Sequence, residues 1–365
     1  SFTPANGSLQ INKVALTVSS VTGVNKPYDG NNSADLNITS PGLSGFVNGE
    51  GAGISVSKAS NASTFASVNK ADGISITVSG LTLTGTGSGN YSLTQPTGLT
   101  ANITAVALTV TADNQNKPYD GSAFSPFTST ITGYVNGENI SKVTGSPTYS
   151  GTATTAVDYG TYTITPVVTP LSATNYSFTP ANGSLQINKV ALTVTADNQN
   201  KPYDGSAFSP FTSTITGYVN GENISKVTGS PTYSGTATTA VDYGTYTITP
   251  VVTPLSATNY SFTPANGSLQ INKVALTVSS VTGVNKPYDG NNSADLNITS
   301  PGLSGFVNGE GAGISVSKAS NASTFASVNK ADGISITVSG LTLTGTGSGN
   351  YSLTQPTGLT ANITA

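Results

Sequence analysis

Side chains able to do chemistry are sparse in this sequence. It has no His, Cys, Met or Trp, and all 13 of its basic residues are Lys. Without imidazole or thiol there is no general base poised near neutrality, no thiolate nucleophile and no His/Cys zinc site. Catalysis or metal binding would have to rest on the 16 Asp and Glu residues. A glycosidase, for example, needs two carboxyl groups roughly 5–9.5 Å apart across a cleft. Here the carboxylates are spread thinly, as at Asp29, Asp35, Glu50 and Asp72, and nothing marks a cleft. The sequence therefore reads as non-enzymatic, with no cofactor.

Three weaker chemistries are open to these side chains. Asp113, Asn114, Asn116 and Asp120 could offer oxygens to Ca²⁺, but that ion takes 6–8 oxygen ligands, usually with several carboxylates. The related stretch Ser19–Asn25 lacks the first carboxylate, so a solvated loop is expected. Lys117 with Glu138, or Lys26 with Glu50, could supply parts of a Lys–Asn isopeptide bond, but Asn is abundant in this chain and ordinary exposed lysines are expected. Asn-x-Ser/Thr sequons, including those at Asn90 and Asn175, arise by chance in so Asn-, Ser- and Thr-rich a chain and carry no inference. A net charge of −3 gives no electrostatic reason to bind nucleic acid or anionic membrane. No apolar run approaches the roughly 20 residues that span a bilayer.

The most conspicuous motif is Lys-Pro-Tyr-Asp-Gly, which occurs four times. Pro27, Tyr28, Asp29 and Gly30 form the first copy; Pro118, Tyr119, Asp120 and Gly121 the second. Pro202, Tyr203, Asp204 and Gly205, then Pro287, Tyr288, Asp289 and Gly290, complete the set. Pro fixes φ, Asp bonds back to the backbone and Gly takes positive φ, so the motif reads as a structural turn with Tyr expected to pack over it. The ligand-contacting alternative is the weaker reading.

These turns sit in an array of repeats. Residues 1–105 recur unchanged as 261–365, and residues 106–189 recur unchanged as 190–273. Taking Val-Ala-Leu-Thr-Val as the start of each unit gives A units at 14–105 and 274–365 and B units at 106–189 and 190–273. Residues 1–13 copy the end of a B unit and are expected to be the orphan last strand of a truncated module, ordered only beside the rest of it. The two unit types are related: both carry the turn motif, then Val-Asn-Gly-Glu, then Asn-Tyr-Ser followed by an apolar residue. Units of this length can fold as independent domains, and no Gly/Ser or Pro-rich linker separates them.

Alternation of apolar and polar residues, as in Ile74/Ile76/Val78 and Leu185/Ile187, predicts half-buried strands throughout. Asn182-Gly183, Asn136-Gly137 and Asn48-Gly49 carry the signature of type I′ turns, and the first of these predicts a hairpin between 176–178 and 185–187. Asp158-Tyr159-Gly160-Thr161-Tyr162 looks like the tyrosine corner of immunoglobulin-like sandwiches. The expected fold is all-β, a tandem array of small antiparallel Ig-like β-sandwiches forming an extended rod. The alternative is a β-grasp-like module, which needs one helix; Glu138–Lys142 is its only modest candidate.

On the turn motif, Gly45-Phe46-Val47-Asn48-Gly49-Glu50 and the stretch from Leu81 to Leu93, the A unit resembles the YDG domain family. On Gly133–Glu138, Gly160–Ile164, Asn175-Tyr176 and Gly183–Leu185, the B unit resembles the MBG family, departing from its usual Tyr-Gly by having Tyr-Asp-Gly. The resemblance implies tandem repeats of a large bacterial surface or secreted protein, commonly an adhesin, with no catalytic residues to transfer. The expected role is a stalk or filament shaft outside the cell. Its expected partners are further repeats of the same chain, with lateral self-association as a second possibility. The alternative is weak glycan binding by the repeats themselves, with Tyr134, Tyr149 and Tyr159 as an aromatic platform and avidity along the array.

Overall fold

The computed structural model describes residues 2–61 and 63–365. The described residues are all-β, with short 3₁₀ turns as their only helical segments. They divide into two compact units, 1–117 with 122–188, and 118–121 with 189–365. Ser1, the first residue of the expected orphan strand, lies outside the described residues, and residues 2–13 pair with no strand.

The second B unit shows the plan. Val190–Ala196 is the centre of a three-stranded sheet, flanked by Ser213–Thr216 and Tyr260–Ala265. The opposing sheet has the order Gln199–Pro202, Gly267–Asn272, Gly244–Val251, Thr232–Ser234. Alternate residues of each strand point inward, so Leu192 and Val194 of one sheet and Ile248, Leu269 and Ile271 of the other are fully buried. Tyr246 donates its hydroxyl to the Asp242 carbonyl at 3.0 Å, and Tyr162 does the same to Asp158 at 2.9 Å, which is the tyrosine-corner bond. The first A unit repeats the plan around Leu16, Leu36, Phe65 and Ile103 and adds two small two-stranded ribbons.

The sheets are mixed rather than wholly antiparallel. Val190–Ala196 runs parallel to Tyr260–Ala265, and Gln199–Pro202 runs parallel to Gly267–Asn272. The cause is a feature that pattern reading assigned to a hairpin. At Asn182-Gly183 and its copy Asn266-Gly267 the chain does not turn back; it passes from one sheet into the other, and neither residue has positive φ. Gly183 is required there by close approach, since a Cβ would collide with the carbonyl of Ala112. Asn114 Oδ1 accepts from Ser184 N at 2.9 Å and ties the two crossing points together.

The helix candidate Glu138–Lys142 is a single 3₁₀ turn, Ile140–Lys142, capped by the Asn139 side chain on Ser141 N. The β-grasp alternative therefore has no helix among the described residues.

Parallel first and last strands have a geometric consequence. Val190 lies opposite Tyr260 and Pro202 lies opposite Asn272, so the chain enters each sandwich at one end and leaves at the other. The Lys-Pro-Tyr-Asp-Gly turn follows Pro202 and is at the exit end, held by Tyr203 N donating to Asn272 O at 2.8 Å.

Candidate junction site

The turn itself is built as its residue types dictate. In the first copy Lys26 Nζ reaches Asp29 Oδ1 at 2.8 Å, Asn31 N donates to the same oxygen at 3.1 Å, and Gly30 has φ +80°. Gly121, Gly205 and Gly290 take φ values of +76°, +73° and +77°. The hydrogen bond from Lys201 holds the Asp204 carboxyl below its usual range. Pro27, Pro202 and Pro287 each pair with the last strand of their own unit.

The tyrosine goes elsewhere than expected. Tyr28 does not cover its own turn: its hydroxyl donates to Glu138 Oε1 at 2.8 Å, and its ring meets that of Tyr176 edge-on at 5.7 Å between centroids. Both partners belong to the following B unit. Tyr28 is 5% exposed and joins Leu108 and Tyr176 in one apolar cluster with Phe65 and Ile103. Neighbouring sandwiches within the first unit thus share a continuous core.

The receiving socket lies at the entry end of the sandwich. The Asn136-Gly137 turn, with φ +54° and +69°, presents Glu138. Tyr176, on the strand parallel to the unit's first strand, donates to Glu138 Oε2 at 2.5 Å and accepts from Val135 N at 3.3 Å. Tyr134 packs edge-on against Tyr176 at 5.7 Å, and Lys142 lies 3.5 Å from Glu138. The bond from Tyr176 keeps the Glu138 carboxyl below its usual range; burial opposes it, while Tyr28 and Lys142 reinforce it. Burial, then the Glu138 carboxylate, pushes the Tyr176 hydroxyl up to about 12.

A second clamp uses the residue before the socket tyrosine. Asn175 accepts from Lys70 N at 2.9 Å and donates to Asn69 Oδ1 at 3.0 Å.

The second unit repeats the arrangement with other sequences around it. Tyr203 donates to Glu310 Oε2 at 2.7 Å and stacks edge-on with Tyr351 at 5.6 Å. Asn350 accepts from Tyr243 N at 2.7 Å and donates to Asp242 at 2.8 Å. Within the same unit Tyr119 donates to Glu222 at 2.8 Å. Burial, then the partner carboxylate, pushes the hydroxyls of Tyr119 and Tyr203 up to about 12.

Sequence reasoning does not bring Glu138, Asn175 and Tyr176 together as a socket; it considers Glu138 only for an isopeptide bond or a helix and Asn175 only as a sequon. Their signal was present, because Val-Asn-Gly-Glu and Asn-Tyr-Ser are shared by unit types whose loops otherwise differ.

The residues of the weaker alternatives find other partners. Asp113 accepts from Thr128 and Thr130, Asn114 from Ser184 and Asn116 from Asn188, so these oxygens serve separate bonds instead of converging on an ion. Lys117 donates to Ser122 O, while Glu50 accepts from Tyr91 and Lys26 is held in its turn. Tyr134 and Tyr149 are partly buried against Tyr176 and Phe127; of the three platform candidates only Tyr159 is exposed, at 47%.

The YDG domain profile matches residues 12–98 and 272–358, and the MBG domain (YGX type) profile matches 108–186 and 192–270. The chain is a tandem array of YDG and MBG domains. No curated protein matches it. Among solved structures it is similar to Drosophila N-cadherin EC1-4, at 10% identity over 83% of this chain and 87% of that one, with a TM-score of 0.17. It is also similar to the N-terminal four Ig domains of Dscam1 isoform 9.44, at 10% identity over 80% and 77%, with a TM-score of 0.18. In this array every turn-to-socket contact described above joins one YDG or MBG domain to the next.

Proposed function

We propose that these domains form a stiff, non-enzymatic spacer: the stalk or filament shaft of a bacterial surface adhesin, which holds a binding tip away from the cell. The observation that carries this reading is the closed junction. Ala105 alone separates the last strand of the first YDG domain, Leu99–Thr104, from Val106–Ala112, and Tyr28 crosses beside it into the next core. Bending such a joint would expose an aromatic ring whose burial stabilises by about 2–3 kcal/mol and would break a hydrogen bond to a carboxylate, typically about 1.5–3 kcal/mol. A spacer is the role in which that resistance is useful. The glycan-platform alternative has less support, because Tyr134 and Tyr149 are engaged inside the fold.

Small-angle scattering tests the reading. Four sandwiches end to end, each with strands of about 10–12 residues, would extend to roughly 150 Å, whereas a compact globule of this length has a radius of gyration near about 21 Å. A globular radius would sink the stalk. So would rapid trypsin cleavage at Lys273, since the joint closed by Tyr203 and Glu310 should shield it. A glycan array on one YDG–MBG pair separates the two roles: binding would favour the ligand reading.

A further inference from the structure

The Asn-Gly dipeptide occurs in two settings that the sequence does not tell apart. At 182–183 and 266–267 it crosses between sheets; Gly183 lies opposite Ile164 in a paired strand, and the Ala112 carbonyl packs against it. At 136–137, 220–221 and 308–309 it is the tip of a turn. Each of these turns is closed by one backbone bond, from the N–H of Glu138, Glu222 or Glu310 to the carbonyl of Val135, Val219 or Val307, at 3.0 Å. Both residues of the dipeptide have positive φ there, the glycine is exposed, and a Cβ on it would meet nothing within 4 Å. Among the described residues the N–H groups of Gly137 and Gly221 make no backbone hydrogen bond.

The asparagine of this turn is part of the joint. Asn308 Nδ2 donates to the Asp204 carbonyl of the seated turn at 3.1 Å. Asn136 and Asn220 rest their side-chain amides on Gly30 and Gly121, where an added Cβ would collide with them. Two residues further on is the glutamate that receives the tyrosine, Glu138 from Tyr28 and Glu222 from Tyr119.

We propose that Asn136-Gly137 and Asn220-Gly221 are sites of spontaneous deamidation, that a closed joint holds the reaction back, and that the product keeps an opened joint from closing again. The Gly137 nitrogen, having given its proton to hydroxide, attacks Cγ of Asn136. The Cγ–Nδ2 bond breaks, and the amide nitrogen takes a proton from water and leaves as ammonia. The new bond from the Gly137 nitrogen to Cγ closes a succinimide ring. Water then adds to either ring carbonyl and breaks its bond to the ring nitrogen, which recovers a proton, leaving Asp or isoaspartate. Water is consumed and ammonia released, with no change of oxidation state. Glycine offers no side chain to obstruct the attack. The asparagine must however rotate onto the following nitrogen, and a seated turn restricts that rotation. The product has lost the amide donor and places a second negative charge two residues from Glu138. Isoaspartate also adds a methylene to the backbone that presents this glutamate.

Ageing the full chain in warm, mildly alkaline buffer tests this, because trypsin digestion after denaturation separates the sites. Asn136 is read from residues 71–142 and Asn220 from 190–226, while the two crossing sites share the identical peptides 143–189 and 227–273. Mass spectrometry should find Asn136 and Asn220 converting faster than the crossing sites. Tyr28→Phe removes only the bond to Glu138. It should speed conversion of Asn136 by about tenfold, because losing a hydrogen bond to a carboxylate raises the open fraction of the joint, and should leave Asn220 unchanged. Tyr119→Phe should do the reverse. Asn136→Asp, which carries the product's charge, should speed trypsin cleavage of the native chain at Lys70, whose N–H is held by Asn175 across the joint, and not at Lys318. Equal conversion of the turn and crossing sites, acceleration of both turns or of neither by one variant, or unchanged cleavage at Lys70 would overturn the proposal.

Discussion

Tyr28 and Tyr288 occupy the same position in identical 92-residue units, with the same turn bonds, and differ in exposure by 5% against 57%. Local sequence therefore builds the turn in both places and does not bury the ring in either. What buries Tyr28 is a carboxylate and an aromatic ring in the next domain. The turn motif is a preformed plug whose energetic value depends on its neighbour.

The largest test of this comparison is truncation of the plug. Tyr28→Ala should destabilise the first unit by about 3 kcal/mol, in the range of buried aromatic truncations. Tyr288→Ala should stay within about 0.5 kcal/mol, as an exposed substitution does. Urea unfolding of the two variants checks this, and equal effects would show that Tyr28 acts only within its own turn.

A smaller effect separates the turn from the junction. Gly30→Ala and Gly290→Ala both force a side chain into positive φ and share a cost of about 1–2 kcal/mol. At Gly30 the new methyl also meets the side chain of Asn136 across the junction, whereas at Gly290 it meets nothing within 4 Å. Gly30→Ala should therefore lose about 1–2 kcal/mol more, as overpacking does. Melting curves run side by side would reveal the difference.

The smallest effect is the pH profile. The folded pKa of Glu138 is lowered, so its contribution to stability is present above the unfolded carboxylate value of about 4.3 and is lost as pH falls through the folded value. The tyrosines are shifted the other way. For Tyr119, Tyr176 and Tyr203 the contribution is complete below about pH 10, the unfolded value, and is lost as pH rises through about 12. Absorbance titration at 295 nm should show a late tyrosinate phase near 12, and Glu138→Gln should move Tyr176 back toward its ordinary range. A single phase near 10 in the native protein would count against closed junctions.

The array of four repeats, its all-β character and the chemistry of its turns were legible from the sequence, because each rests on preferences that act over a few residues. Alternation every second residue marked Leu185 and Ile187 as inward, and both are fully buried. Asn-Gly at 136–137 predicted positive φ at both residues, and both have it. The same dipeptide at 182–183 misled, because no local preference distinguishes a turn between paired strands from a crossing between sheets. That choice is made by the Ala112 carbonyl packed against Gly183 and by Asn114, about 70 residues away in sequence. The fate of Tyr28 is the extreme case. Its turn is held locally, by the Lys26–Asp29 pair and the positive φ of Gly30, but its burial depends on Glu138, 110 residues further along. Burial depends on the atoms that fill the space around a ring, and those are assembled only when two domains, each folded on its own pattern, meet end against end within one unit.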